Sequence, residues 1–284
     1  MQVLYLYKRG ELLMNQRKSL KELNLLDKFL FDEAMDDPEN VKTMLDIILS
    51  QNTNLKHPPQ TEKEQRTSTD NRQIRLDVYA IDEDDVIYEV EAQKENTHNL
   101  PKRSRLYQGI IDSKLLPPGV VDFNLLNEVL IVLIMPFDLF GYGLYRYTFQ
   151  MKCEEVPELK LDDGATRIFL NTRGKHPELV SPELIELLKY MEHSTDEISE
   201  ACESKRIQEM HRRVCQIKAS EKAEVKYMQT WEEKILIKQE GERIGLERIN
   251  RLNQKLIEQG RFDDLTKATS DSNYQKKLLK EFKI

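Results

Sequence analysis

A mixed α/β (α+β) fold is predicted for this 284-residue chain by three observations. Apolar residues recur at helical spacing through residues 20–50. Apolar and alternating runs, separated by Gly, Pro and Asp, recur between residues 73 and 171 and read as strands. After Thr195 the composition shifts to charged, helix-favouring residues.

In chain order, LKELNLLDKFLFDEAM reads as a first helix with Leu23, Leu26, Leu30 and Ala34 at helical spacing. Asp36-Asp37-Pro38 interrupts it, and Pro38 suits the opening of a second helix, where its missing N–H costs nothing. Residues 52–71, polar and Pro-broken, read as a surface loop. Two strands follow, Gln73–Ala80 and Val86–Lys94, joined by the acidic turn Asp82–Asp85. A helix is expected over residues 99–114, then strands at Glu128–Phe137, Leu144–Cys153 and Thr166–Asn171. Pro182 opens a helix that runs to about His193. Phe137–Gly143 and Asp162-Asp163-Gly164 read as turns without a chemical role.

From Thr195 to Gly260, Ile207, Met210, Val214, Ile217, Val225, Met228 and Ile235 keep heptad-like steps. SEKAEVK breaks their phase, so a long, imperfect amphipathic helix is expected, able to self-associate as a homo-oligomer. Residues 261–284 add one or two short helices.

Composition removes several function classes. No apolar run approaches the ~18–20 residues of a membrane helix, the longest being Val129–Phe137. Met1–Met14 lacks the layout of a secretory signal, so a cytoplasmic address is expected. Three cysteines and five histidines show no zinc-type spacing and read as structural. The net charge of −7 argues against a uniformly basic nucleic-acid binder. Residues 201–284, however, carry 19 basic and 14 acidic side chains, against 24 and 36 before them. Phosphate affinity must therefore come from local patches, divalent cations or the C-terminal part.

The chemistry is concentrated in QIRLDVYAIDEDDVIYEVEAQK. Alternation places Ile74, Leu76, Val78 and Ala80 on one strand face and Arg75, Asp77 and Tyr79 on the other. In the next strand Tyr88, Val90 and Ala92 alternate with Glu89, Glu91 and Gln93. Matching apolar faces sets Val78 opposite Val90, Asp77 opposite Glu91 and Arg75 opposite Gln93, with Asp82–Val86 as the loop. Directly opposed carboxylates lie ~4.5–5.5 Å apart at Cβ and repel unless a proton or cation separates them. Mg²⁺ or Mn²⁺ between Asp77 and Glu91 resolves that repulsion and can activate a water towards a phosphodiester. Gln93, on the same face as Glu91, could orient that water. Solvated acids on an open hairpin face, with Arg75 as an ion-pair partner, explain the same spacing.

These residues, in this order, resemble the PD-(D/E)XK nuclease superfamily, and within it the recombination-promoting Rpn nucleases and transposase-like proteins. The matching run is RLDVYA followed by YEVEAQ, with LLDKFLFDEAMDDPEN upstream and LPKRSRLYQGIIDSKLL downstream. Two later stretches, LIVLIMPFDLFGYGLYRYTF and LDDGATRIFLNTRGK, resemble its later strands, so the match covers residues 20–195. The resemblance implies a restriction-endonuclease-like core, a mixed sheet flanked by helices, with a long helical C-terminal extension. It implies that Asp77, Glu91 and Gln93 are catalytic, that Asp77, Glu91 and Glu33 bind Mg²⁺ or Mn²⁺, and that Arg103, Arg105 and Gln108 contact DNA. Gln93 stands where the wider superfamily keeps Lys, so charge compensation falls mostly to the metal. The implied organisation is a leader or over-extended start at 1–13, the nuclease-like domain at 14–195 and a helical extension at 196–284. The expected activity is endonucleolytic hydrolysis of DNA in recombination, mobile-element or defence-related cutting. The alternative is a non-catalytic DNA-binding or oligomeric regulatory protein that keeps the fold.

Overall fold

The computed structural model describes residues 18–65 and 74–284. The expected leader at 1–13 lies outside the described residues. Six strands, β1 (Gln60–Gln65), β2 (Ile74–Ile81), β3 (Ile87–Ala92), β4 (Val129–Met135), β5 (Arg146–Phe149) and β6 (Ala165–Asn171), form one mixed sheet in the order β1-β2-β3-β4-β6-β5. β3, β4 and β6 run parallel, and β1, β2 and β5 pair antiparallel with their neighbours. The parallel step from β3 to β4 requires a crossover, which contains α3 (Leu100–Asp112).

The strand sequences show why the sheet is covered on both faces. VLIVLIM in β4 is almost wholly buried, as expected of a central parallel strand. Residues Ile87, Val129, Ile131, Leu133, Met135 and Phe169 meet Leu100, Tyr107, Ile110 and Ile111 of α3 on one face. Alternation turns the buried Val78, Val90, Val132, Ile134 and Ile168 to the opposite face. A layer of α1 (Lys28–Met35), α2 (Pro38–Leu49), α4 (Pro182–Glu192), α5 (Asp196–Ala201) and α6 (Lys205–Lys218) packs together and reaches β1 and β2 through α1. Asp37 caps α2 by accepting from Glu39 N, and Ser181, Thr195 and Ser204 cap α4, α5 and α6 in the same way.

The observed register pairs Val78 with Val90 and Ile81 with Ile87, as the matching of apolar faces requires, and leaves Asp82–Val86 as the loop. Four departures have physical causes. First, β1 forms within the region expected to be loop. QTEKEQ is an edge strand with no apolar side chain to mark it, and Lys63 lies 3.4 Å from the centre of the Tyr79 ring. Second, helix α1 begins at Lys28, because Asp27 accepts from Asn24 N and Leu25 N donates to Ser194 Oγ. Residues 23–27 are thereby tied into a turn. Third, Ile74 and Leu76 pack in the same cluster as Tyr79, so the alternation shifts near Asp77. Across from it, Glu62 of β1 has a left-handed φ of 48°.

Fourth, the expected boundary at residue 195 is not where the chain divides. The first compact unit runs to Ala223, because Ile207, Met210 and Val214 of α6 are fully buried within it. The heptad-like stripe therefore splits at Ala219 and Ser220, inside the region where the sequence loses phase. The second unit, Glu224–Ile284, holds most of α7 (Glu221–Glu258) with α8 (Phe262–Ser270) and α9 (Ser272–Glu281). Its own small core joins Leu252, Leu256, Ala268 and Leu278. Gly260, at φ 68°, turns the chain out of α7 in a conformation that favours glycine.

Two details concern backbone approach. Asp138 accepts hydrogen bonds from the N–H groups of Phe140, Gly141 and Gly143 and from the Tyr147 hydroxyl, which explains FDLFGYG as a structural turn. A Cβ on Gly174 would lie 2.3 Å from Tyr145 Cγ, so this position requires glycine for space. No helix among the described residues is long and apolar enough to cross a membrane.

Candidate active site

The start of α1, the middle of β2, the end of β3 and the start of α3 carry charged side chains that act on one another. β3 reads IYEVEA, and every residue in it is buried. Its Glu89 and Glu91 share the face that carries Ile87 and is covered by α3. Covering that face converts two ordinarily solvated acids into buried ones.

Arg103, in the first turn of α3, donates through Nη2 to Glu91 Oε1 and to Gln93 Oε1, both at 2.6 Å. Lys28, the first residue of α1, pairs with Asp77 and lies 3.2 Å from Asp32 Oδ2 and 3.9 Å from Glu62 Oε1. Arg75 holds Glu62 from outside at 3.1 Å. Asp77 and Glu91 both feel the charges of Lys28 and Arg103, and the Asp77 charge raises the pKa of Glu91. Asp77, held by Lys28, and Glu91 and Gln93, held by Arg103, are thus linked through their charges.

The electrostatics are set by burial. It pushes Glu91 up to about 7, against the Arg103 guanidinium. It pushes Asp32 up to about 7 as well, against the pull of Lys28. Asp77 is also raised by burial despite its ion pair with Lys28. Glu89 is raised well above the ordinary carboxylate range by burial and by the charges of Glu91 and Asp77. Both Glu89 oxygens and Glu91 Oε2 are buried without a hydrogen-bond partner. Buried polar atoms are rarely left so, and each such group needs an explanation.

No family model, curated protein or solved structure matches this chain.

The remaining expected residues divide. Glu33 lines an open groove with Asp36, Asn40, Arg213 and Gln216. Consecutive helix residues point about 100° apart, so Asp32, one position earlier, is the first-helix acid that faces Lys28 and Asp77. Gln108 is not available to DNA: it is buried and donates to Asp112 Oδ1 at 2.9 Å. Arg103 bridges Glu91 and Gln93, and Arg105 is exposed on α3. Beside the acids, Ile74, Arg75, Asn99, Lys102, Arg103 and Tyr107 line a cleft of about 380 Å³. Its three cationic side chains suit a phosphate backbone.

Sequence reading missed Lys28, Asp32, Glu62 and Glu89. A signal existed for Glu89, since Glu89, Glu91 and Gln93 recur at the two-residue period of one strand face. Another existed for Lys28 and Asp32, which are spaced i, i+4. Nothing local marked Glu62, whose strand carries no apolar pattern.

Proposed function

We propose that this protein is a Mg²⁺- or Mn²⁺-dependent endonuclease that hydrolyses phosphodiester bonds of DNA. The observation that carries the reading is the set of buried carboxyls, Asp77, Glu89 and Glu91, whose pKa values burial pushes up, with three oxygens of Glu89 and Glu91 left unpartnered. An all-oxygen donor set of this kind fits a hard divalent cation better than a soft one. Asp77 and Glu91 would hold the cation, with the unpartnered oxygens of Glu89 nearby in the pocket. Bound there, a divalent cation lowers the pKa of a water and polarises a phosphoryl oxygen.

The chain's own side chains have separable tasks. Arg103 fixes Gln93 and Glu91 in one orientation, and Gln93, whose Nε2 already donates to the Glu95 carbonyl, keeps a second amide N–H for a water or a phosphate oxygen. Lys28, beside Asp77, puts a positive charge in the pocket that Gln93 itself lacks. Arg75 and Lys102, lining the cleft, would position the DNA backbone. In the hydrolysis, water oxygen bonds to phosphorus as the water gives up one proton to solvent, one P–O ester bond breaks, and the leaving sugar oxygen takes up a proton from solvent, giving a phosphate monoester and a hydroxyl.

A supercoiled-plasmid assay with Mg²⁺, Mn²⁺ or EDTA tests the reading. Wild type is expected to nick with either cation and not with EDTA. Asp77→Ala and Glu91→Ala are expected to abolish cleavage while remaining folded. Undiminished cleavage by either variant overturns the assignment. The Arg103 bridge, which already neutralises Glu91, favours a second reading as a non-catalytic DNA-binding protein. Metal-independent DNA binding without nicking by wild type would select it.

A further inference from the structure

Away from the acidic cluster, helices α5 and α6 bring together three groups of different chemistry. Asp196 opens α5, and His211 and Cys215 lie one helical turn apart on α6. His211 Nε2 is 2.8 Å from Asp196 Oδ1 and 3.3 Å from Cys215 Sγ, and Sγ is 3.9 Å from the same Oδ1. One nitrogen, one oxygen and one sulfur therefore converge on a common point, all within 4.8 Å of one another. We propose that Asp196, His211 and Cys215 form a zinc-binding site with an open fourth position, a site independent of the nuclease reading.

The dimensions fit. Zinc bonds of ~2.0–2.3 Å in tetrahedral geometry set ligand-to-ligand distances of roughly 3.4–3.6 Å. The observed 2.8, 3.3 and 3.9 Å bracket that range; Sγ also lies 3.9 Å from Nδ1, so Cys215 must turn about its Cα–Cβ bond towards the Nε2 lone pair to seat the ion. The donor set selects the metal class: imidazole and thiolate favour Zn²⁺ over Mg²⁺ or Ca²⁺. The same geometry argues against a nucleophilic Cys-His-Asp triad. Such a relay needs the thiol and the carboxylate on different ring nitrogens, whereas here the carboxylate meets Nε2 and the thiol is nearer Nε2, at 3.3 Å, than Nδ1, at 3.9 Å, which the Tyr190 hydroxyl occupies.

The support around His211 is of the kind metal-bound histidines have. Its other nitrogen, Nδ1, lies 2.9 Å from the hydroxyl of Tyr190, a fully buried side chain on α4. A hydroxyl can accept as well as donate, so Nδ1–H can bond to it while the Nε2 lone pair faces the ion. Asp196 is exposed and Cys215 half-buried, which leaves an entry path and room for a water as fourth ligand. Lys218 Nζ is engaged by the Ser194 carbonyl at 2.8 Å and balances the charge of Asp196 and of a Cys215 thiolate. Binding releases the thiol proton of Cys215 and any proton on Nε2 to solvent. The ion would tie the start of α5 to α6 beside Tyr190 of α4.

Cobalt substitution in the reduced, full-length, chelator-stripped protein tests this. Wild type is expected to bind one Co²⁺ with a thiolate-to-cobalt charge-transfer band that one equivalent of Zn²⁺ removes. Cys215→Ser is expected to lose the band and Asp196→Asn to lose stoichiometric binding, each with its circular dichroism unchanged. Asp77→Ala, altered only in the acidic pocket, keeps the band. Absence of the band in wild type, or its persistence in Cys215→Ser, overturns the proposal. Loss of plasmid nicking has no bearing on these readouts.

Discussion

Replacing Glu91 with Gln tests the electrostatic account of the pocket without relying on activity. The carboxyl pKa rises from an ordinary 4.5 to about 7 on folding, equivalent to ~3 kcal/mol. The sign follows from proton occupancy. Below the unfolded value both states hold the proton and Glu91 carries no penalty. Between that value and about 7 the folded state binds the proton more tightly, so stability is lost as pH rises through this window. From about pH 5.5 to about pH 8.5, roughly 2 kcal/mol of the penalty develops. Glu91→Gln has no such proton and keeps an oxygen that can accept from Arg103. In EDTA, its stability relative to wild type should therefore improve by ~2 kcal/mol between those two pH values. Urea unfolding of both proteins at each pH measures this, because titrations that do not interact with Glu91 cancel in the difference. Mg²⁺ at ten times its dissociation constant should stabilise wild type at the higher pH by ~1.4 kcal/mol and Glu91→Gln by less. A stability gap that stays constant across pH would refute the reasoning.

Further outcomes follow from the same structure. Glu89→Leu should stabilise the cation-free protein by about 1–3 kcal/mol, since it removes a buried acid with no partner. It should also impair any Mg²⁺-dependent nicking; a destabilised melt would contradict the account of Glu89. Gly174→Ala should cost roughly 1–3 kcal/mol through overpacking against Tyr145, and an unchanged melting temperature would show that the ring moves aside freely. A chain ending at Ala223 should melt cooperatively, whereas one ending at Ser194 should not, because α6 buries Ile207, Met210 and Val214 in the first unit. The exposed Leu236, Ile237 and Leu246 on α7 make the C-terminal unit the proposed seat of self-association. Light scattering showing the same monomeric mass per chain with and without residues 224–284 would remove that proposal.

Much of the sheet was legible because its information is local. The period-two patterns of β2 and β3 fixed the Val78–Val90 register, and the apolar run of β4 marked a central strand. β1 was illegible because QTEKEQ owes its strand to hydrogen bonds with β2 rather than to apolar side chains. The candidate site divides in the same way. Glu91 lies on β3, with Gln93 just beyond its end, and alternation gives its face, whereas the face of Asp77 does not follow from alternation because the pattern shifts beside it. Lys28 and Asp32 reach them through tertiary packing of α1, which no spacing rule encodes. The burial of Glu89 depends on α3 covering its face, whereas alternation alone suggested a solvated one. His211 and Cys215 are visibly one helical turn apart in the sequence, but Asp196 meets them only because α5 folds back against α6.

The two outer strands of the sheet differ in a way that bears on how copies of this chain can assemble. β5 has four residues and offers a short ladder to any incoming strand. β1 is longer, but it presents Glu62, Lys63 and Glu64, and the left-handed φ of Glu62 interrupts its extended run. Short length, charge and backbone irregularity are the means by which sheets avoid recruiting further strands. Among the described residues, growth of this sheet by strand addition is therefore disfavoured at both margins.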